Sequence, residues 1–156
     1  MKLKKYKIIL LDGDGVLWKS EDPIPGINSF FDFLIDNGIS WALLTNNNTR
    51  TAQDYINKLT GFGIPVDQKS VFTSSTVTAD YLLNRYGAGA ALHVVGMSGL
   101  IDTLAEAGFE ITVGEENPKK NVVAVVAGMD RQIWSRTPTP PISSMFRVNT
   151  GKNIHA

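Results

Sequence analysis

Hydrophobic positions in the first 130 residues fall into short runs and helical stripes that take turns along the chain. Ile8–Leu11 is an apolar run of strand type, and Ile27, Phe30, Phe31 and Leu34 then recur at helical spacing up to Gly38. Trp41–Leu44 is a second strand-like run, ending in Thr45-Asn46-Asn47-Asn48-Thr49. Ala52, Tyr55, Ile56 and Leu59 mark one face of another helix, closed by Gly61 and Gly63. Val71–Phe72 predicts a third strand, after which Ser74 or Ser75 caps a helix that turns Leu82, Leu83 and Tyr86 inward. Leu92–Val95, a helix from about Ser98 with Leu100, Ile101 and Leu104 inward, and strands over Phe109–Val113 and Val122–Ala127 continue the alternation. Strands alternating with helices predict an α/β fold with a largely parallel sheet.

After Asp130 the pattern stops. The first 130 residues hold 11 basic and 15 acidic residues, whereas the last 26 hold four basic residues and no acid. Three of the seven prolines crowd into Thr137–Pro141, which disfavours helix and central strand alike. Residues 131–156 are therefore expected to form an irregular tail.

Composition narrows the function classes. A chain of 156 residues allows one ordinary domain, or a small domain with an insertion. Zero formal net charge points to neither a nucleic-acid partner nor a membrane surface. No apolar run approaches membrane-spanning length, and the four apolar residues before Asp12 are too few for a signal-peptide core. Without cysteines there are no disulfides, thiolate metal sites or cysteine nucleophiles, and a cytoplasmic location is expected. His93 lies in the apolar run Ala91–Val95, where a packed or edge histidine is the expectation.

The chemistry sits at the end of the first strand. Asp12 and Asp14 follow Ile8–Leu11, with Gly13 and Gly15 between and after them to let the backbone turn. Carboxylates beside a core are costly unless paired, hydrogen-bonded or bound to a cation. Two of them at i and i+2 can divide labour, one attacking an electrophile and the other moving protons. A divalent cation beside them would orient a phosphate, and Mg2+ favours oxygen ligands of this kind. An Asp-Gly turn with two solvated acids would account for the same residues.

Asp12-Gly13-Asp14-Gly15-Val16-Leu17-Trp18 resembles the first motif of the haloacid dehalogenase superfamily. Pro23-Ile24-Pro25-Gly26, Leu44-Thr45-Asn46-Asn47-Asn48-Thr49-Arg50, Tyr55-Ile56-Asn57-Lys58-Leu59 and Val71-Phe72-Thr73-Ser74-Ser75 resemble successive segments of its large-cap class. Val94-Val95-Gly96 and Gly128-Met129-Asp130-Arg131 resemble two landmarks of the cap. That class holds 4-nitrophenylphosphatases and pyridoxal, phosphoglycolate and nucleotide phosphatases, and the resemblance covers roughly residues 6–131.

The resemblance implies a partial Rossmann-like core with a parallel sheet over residues 1–75, part of an α/β cap over 76–130, and a tail over 131–156 without family resemblance. It implies a Mg2+-dependent phosphomonoester hydrolase acting through an aspartyl-phosphate on a small phosphorylated metabolite. Asp12 would be the nucleophile and a metal ligand, and Asp14 the general acid/base with its backbone carbonyl on the metal. Thr45, helped by Asn46, would bind the phosphoryl oxygens, in keeping with hydroxyl and N–H donors where a strand opens toward a helix.

Two departures bear on this reading. Gly13 stands where this group usually carries an apolar residue. The family's third motif, a lysine, and its fourth, an acidic pair, have no counterpart after Arg131. Lys152, in Thr150-Gly151-Lys152-Asn153, follows no strand and is followed by no acid. The expectation is a shortened family member whose tail replaces the lost half, for instance through a change of reading frame. An uncovered sheet edge beside the first strand would then favour self-association. The alternative is a non-catalytic remnant that binds phosphate or a partner weakly.

Overall fold

A computed structural model describes residues 2–114 and 121–131. In chain order its elements are β1 (Ile8–Leu11), β2 (Trp18–Lys19), β3 (Asp22–Pro23), α1 (Ile27–Asp36), β4 (Ser40–Thr45), α2 (Ala52–Gly61) and β5 (Val71–Thr73). There follow α3 (Ser74–Tyr86), β6 (Ala91–Val95), α4 (Ser98–Glu106), β7 (Glu110–Val113) and β8 (Val122–Ala127). Two parallel sheets result, in the orders β1-β4-β5 and β7-β6-β8, while β2 and β3 form a small antiparallel ribbon. The fold is therefore α/β with a partial Rossmann-like core.

Each sheet has its own core. Leu11, Leu43 and Val71 project from the first sheet onto Ile27, Phe31 and Leu34 of α1 and onto Tyr55 and Leu59 of α2. Leu34, Leu43 and Leu59 have no exposed surface, and burying one such side chain contributes about 1.5–3 kcal/mol. In the second sheet Leu92 and Val94 pack with Ala79 and Leu82 of α3, Leu100 and Leu104 of α4, and Phe109. The two meet at a junction. Asn48 Oδ1, just beyond β4, accepts the Met129 N–H at 3.0 Å, and Gly99 of α4 lies so close to Arg50 that a Cβ there would sit 2.4 Å from its backbone nitrogen.

Helix starts show which polar residues cap. Thr51 and Asp54 form a reciprocal capping box on α2. The cap of α3 is Thr73, not Ser74 or Ser75: its side chain accepts the Thr76 N–H, and the Thr76 side chain returns to the Thr73 N–H, so the helix already begins at Ser74. Tyr86 is not inward either. It is the last residue of α3, exposed, and its ring lies 5.5 Å from the Arg85 guanidinium carbon. His93 is packed rather than at an edge, because β6 lies between β7 and β8.

The first sheet buries only one face in these elements. Ile8, Leu10, Leu44 and Phe72 alternate with the buried residues, and Leu10 is 60% exposed. Among the described residues β1 pairs with β4 alone. Residues 132–156, including Lys152 and nearly all of the expected tail, lie outside the described residues.

Candidate active site

The parallel register pairs Leu11 with Leu43 and Thr45 with Thr73, so β1, β4 and β5 end together. Ligands of open α/β sheets bind at such carboxyl ends. Asp12 leaves β1 there, exposed, with its Oδ1 accepting the Gly13 N–H at 2.8 Å. The Gly13 carbonyl then accepts N–H groups from Val16, Leu17 and Trp18, and Gly15 adopts φ 82°. This tight coil carries Trp18 back over Gly13.

Trp18 is the organiser of the site. It is 1% exposed, stacks on Tyr55 with ring centroids 5.9 Å apart, and contacts Phe62, while the Lys58 ammonium lies 5.0 Å above its ring. Its Nε1–H donates to Asp14 Oδ1 at 2.9 Å. The Gly13 departure now has a structural reason: a Cβ at residue 13 would lie 2.3 Å from Trp18 Cζ2, so the indole fills the room that a side chain would need.

Asp14 is held from the other side by Asn47, whose Nδ2 donates to Oδ2 at 3.1 Å. The Asn47 amide lowers the Asp14 pKa from its ordinary value; the Trp18 indole and the charges of Lys58 and Arg50 act the same way, against the effect of burial. Asn47 itself is tied into the loop at every polar group. Its Oδ1 accepts Thr49 N–H and Oγ1–H, its N–H donates to Thr45 Oγ1 at 3.1 Å, and its carbonyl accepts the Tyr55 hydroxyl at 2.9 Å. Burial pushes the Tyr55 phenol up, with the Thr45 hydroxyl beside it pulling the other way.

Of the residues expected at the site, Asp12, Asp14 and Thr45 thus share one sheet end, and Asp14 lines a cavity there. Thr45 is buried at the end of β4, and Asn46 is exposed, its carbonyl accepting from Ser74 Oγ. The cavity, about 310 Å3, is bounded by Asp14, Asn47, Tyr55, Arg50, Lys58 and Arg131 among others. A larger hollow of about 580 Å3 lies further out along α2 and touches none of Asp12, Asp14, Thr45 or Asn46. The smaller one is the one with Asp14 in its wall. Trp18, Asn47 and Tyr55 were not singled out by the sequence. Within Asn46-Asn47-Asn48 nothing local tells which amide turns toward Asp14 and which toward Met129.

Both Asp12 and the Asp14 backbone carbonyl are hard oxygen donors, which suits a cation that keeps much of its water shell. No group of three or more His, Cys, Asp or Glu residues that could hold a metal occurs among the described residues. No helix there is long and apolar enough to cross a membrane.

Residues 9–110 match the family of haloacid dehalogenase-like hydrolases. The acid sugar phosphatase of Staphylococcus aureus is 37% identical over 131 residues, which are 84% of this chain and 48% of that protein. The solved 4-nitrophenylphosphatase of Thermotoga maritima superposes with a TM-score of 0.69 at 31% identity, over 83% of this chain and 47% of that one. A glycerol phosphate phosphatase from Mycobacterium tuberculosis, solved in complex with calcium, gives 0.64 at 25% identity, over 82% and 36%. The chain spans about half the length of the curated relatives it matches. A family match over most of the described residues, on a fold that carries Asp12 and Asp14 at the end of its first strand, establishes that this chain belongs to the haloacid dehalogenase-like hydrolases, in the group that includes the 4-nitrophenylphosphatases.

Proposed function

We propose that the protein is a Mg2+-dependent phosphomonoester hydrolase that works through an aspartyl-phosphate, with Asp12 as nucleophile and Asp14 as proton carrier. The observation that carries this is the pair of carboxylates at the shared end of β1 and β4, one exposed and bonded among the described residues only to the Gly13 N–H, the other fixed by two side-chain hydrogen bonds. An Asp12 carboxylate oxygen attacks phosphorus as the bond to the alcohol oxygen breaks, and that oxygen takes a proton from Asp14. Water then attacks the aspartyl-phosphate, its proton passes to the Asp14 carboxylate, and phosphate leaves with Asp12 restored. Thr45 and Asn46 supply donors to the phosphoryl oxygens.

Mg2+ would be held by the Asp12 carboxylate and the Asp14 carbonyl, and when bound it supplies charge neutralisation at the phosphate. The relative crystallised with calcium supports divalent-metal chemistry in the family. The two donors that keep Asp14 ionised favour its role as base over its role as acid. Esters of acidic alcohols, which leave without a proton, are therefore the best probes. We place the protein in the cytoplasm, in keeping with a cysteine-free chain.

A second reading, a non-catalytic chain that binds phosphate or a partner weakly, is favoured by the absence of a third acidic metal ligand among the described residues. Release of 4-nitrophenolate from 4-nitrophenyl phosphate, with and without Mg2+, separates the two. Turnover that requires Mg2+ and disappears in Asp12→Asn is expected from a hydrolase. Equal traces in both proteins would leave only the binding reading.

A further inference from the structure

We propose that the 310 Å3 cavity beside Asp14 is a subsite for an anionic group carried by the leaving alcohol, read by the guanidinium groups of Arg50 and Arg131. This assignment of substrate class rests on the phosphomonoesterase reading above.

Position comes first. The cavity has Asp14 in its wall, so whatever occupies it lies next to the group that handles the leaving oxygen. Its volume is at the low end for small-molecule sites, about 300–1,000 Å3, which leaves room for a compact alcohol.

Charge comes second. The lining carries three cations, Arg50, Lys58 and Arg131, against two carboxylates, Asp14 and Glu21. Lys58 is already committed: its Nζ donates to the Ser20 carbonyl and to Glu21, lies over Trp18, and its side chain is only 8% exposed. Arg131 makes no hydrogen bond or ion pair among the described residues, and it enters from beyond β8 while Arg50 enters from the segment after β4.

Glu21 marks the place. Its carboxylate sits 2.6 Å from Arg50 Nη2 and 3.2 Å from Lys58 Nζ, and both neighbours lower its pKa, Lys58 the more. Yet Glu21 is 68% exposed and Arg50 42%, and ion pairs so open to water are weak. A ligand carboxylate or second phosphate can take the Arg50 fork from Glu21 and reach Arg131 as well. Planar guanidinium forks match either group in a bidentate way that an ammonium does not.

The test is calorimetric titration of the full chain with Mg2+ present, using 3-phosphooxypropanoate, propyl phosphate of nearly the same size, and malonate. Expected is about tenfold tighter binding of 3-phosphooxypropanoate than of propyl phosphate, the amount one charge-assisted hydrogen bond supplies. In Arg50→Gln and in Arg131→Gln that preference should fall to within about twofold, with circular dichroism showing both variants folded. Equal binding of the two phosphates, or a preference that survives both substitutions, would overturn the subsite while leaving the phosphate site standing. Malonate binding that needs both arginines, with no binding of either phosphate, would keep the subsite and overturn the phosphomonoesterase reading. No binding of any probe would overturn the subsite.

Discussion

Replacing Gly13 with alanine puts a methyl group where the Trp18 ring already lies. The new Cβ would be 2.3 Å from Cζ2 and 2.5 Å from Cη2, far inside contact distance. The indole has little freedom to step aside, since it is 1% exposed, stacked on Tyr55, touched by Phe62 and bonded to Asp14. Forcing an extra carbon into such packing costs about 1–3 kcal/mol. Gly13 does not have a positive φ, so alanine also gains about 0.4–1 kcal/mol by restricting the unfolded chain. The net expectation is a loss of about 1–2 kcal/mol, measured by urea denaturation followed by far-UV circular dichroism.

The cause is isolated by a double-mutant cycle. Trp18→Phe removes the two ring carbons that the methyl group meets, so Gly13→Ala in that background should be neutral or mildly stabilising. A coupling energy of about 1–2 kcal/mol is expected. Additivity within about 0.5 kcal/mol would refute the claim that the Trp18 ring is what excludes a side chain at residue 13.

Three further outcomes follow from the same geometry. Asn47→Ala should raise the Asp14 pKa toward its ordinary value of 3.8, because the Asn47 amide is the largest influence lowering it. A carboxylate with a lowered folded pKa contributes stability above its unfolded pKa and loses it as pH falls through the folded one. The wild type therefore loses this contribution on going below 3.8, and the variant should lose less of it; carbon-detected NMR titration of Asp14 would expose an unmoved pKa. Leu43→Ala, at a side chain with no exposed surface, should cost about 2–5 kcal/mol in chemical denaturation, against about 0.5 kcal/mol or less for Leu10→Lys on the open face; similar costs would mean the buried face is misassigned. Asn48→Ala should leave the Met129 N–H without its acceptor, costing about 1–3 kcal/mol and speeding hydrogen exchange at that amide, and unchanged exchange would show that the two sheets are joined by other contacts.

The element order was legible because it is written in short-range periodicity. The stripe Ile27, Phe31, Leu34 has to be one face of a helix, and Ile8–Leu11 followed by two aspartates has to deliver them at a strand end. The motif resemblance likewise depends only on residue types in order, and it led to the family that the match over residues 9–110 establishes. Caps were less legible, since Thr73, Ser74 and Ser75 are interchangeable as acceptors until the backbone shows which one precedes the first turn.

Which donors surround Asp14 could be decided only in three dimensions. Trp18 reaches it across four residues of tight coil, Asn47 across 33 residues, and Arg131 enters the same cavity from beyond the second sheet. Glycine at residue 13 is a bare departure from the group's apolar residue when only its neighbours in sequence are in view, and the packed structure shows the indole in the space a side chain would need. Local pattern determines where strands and helices form, because hydrogen bonding and burial repeat with fixed periods of two and 3.6 residues. The convergence of side chains from separate elements has no such period, so only the packed tertiary structure determines it.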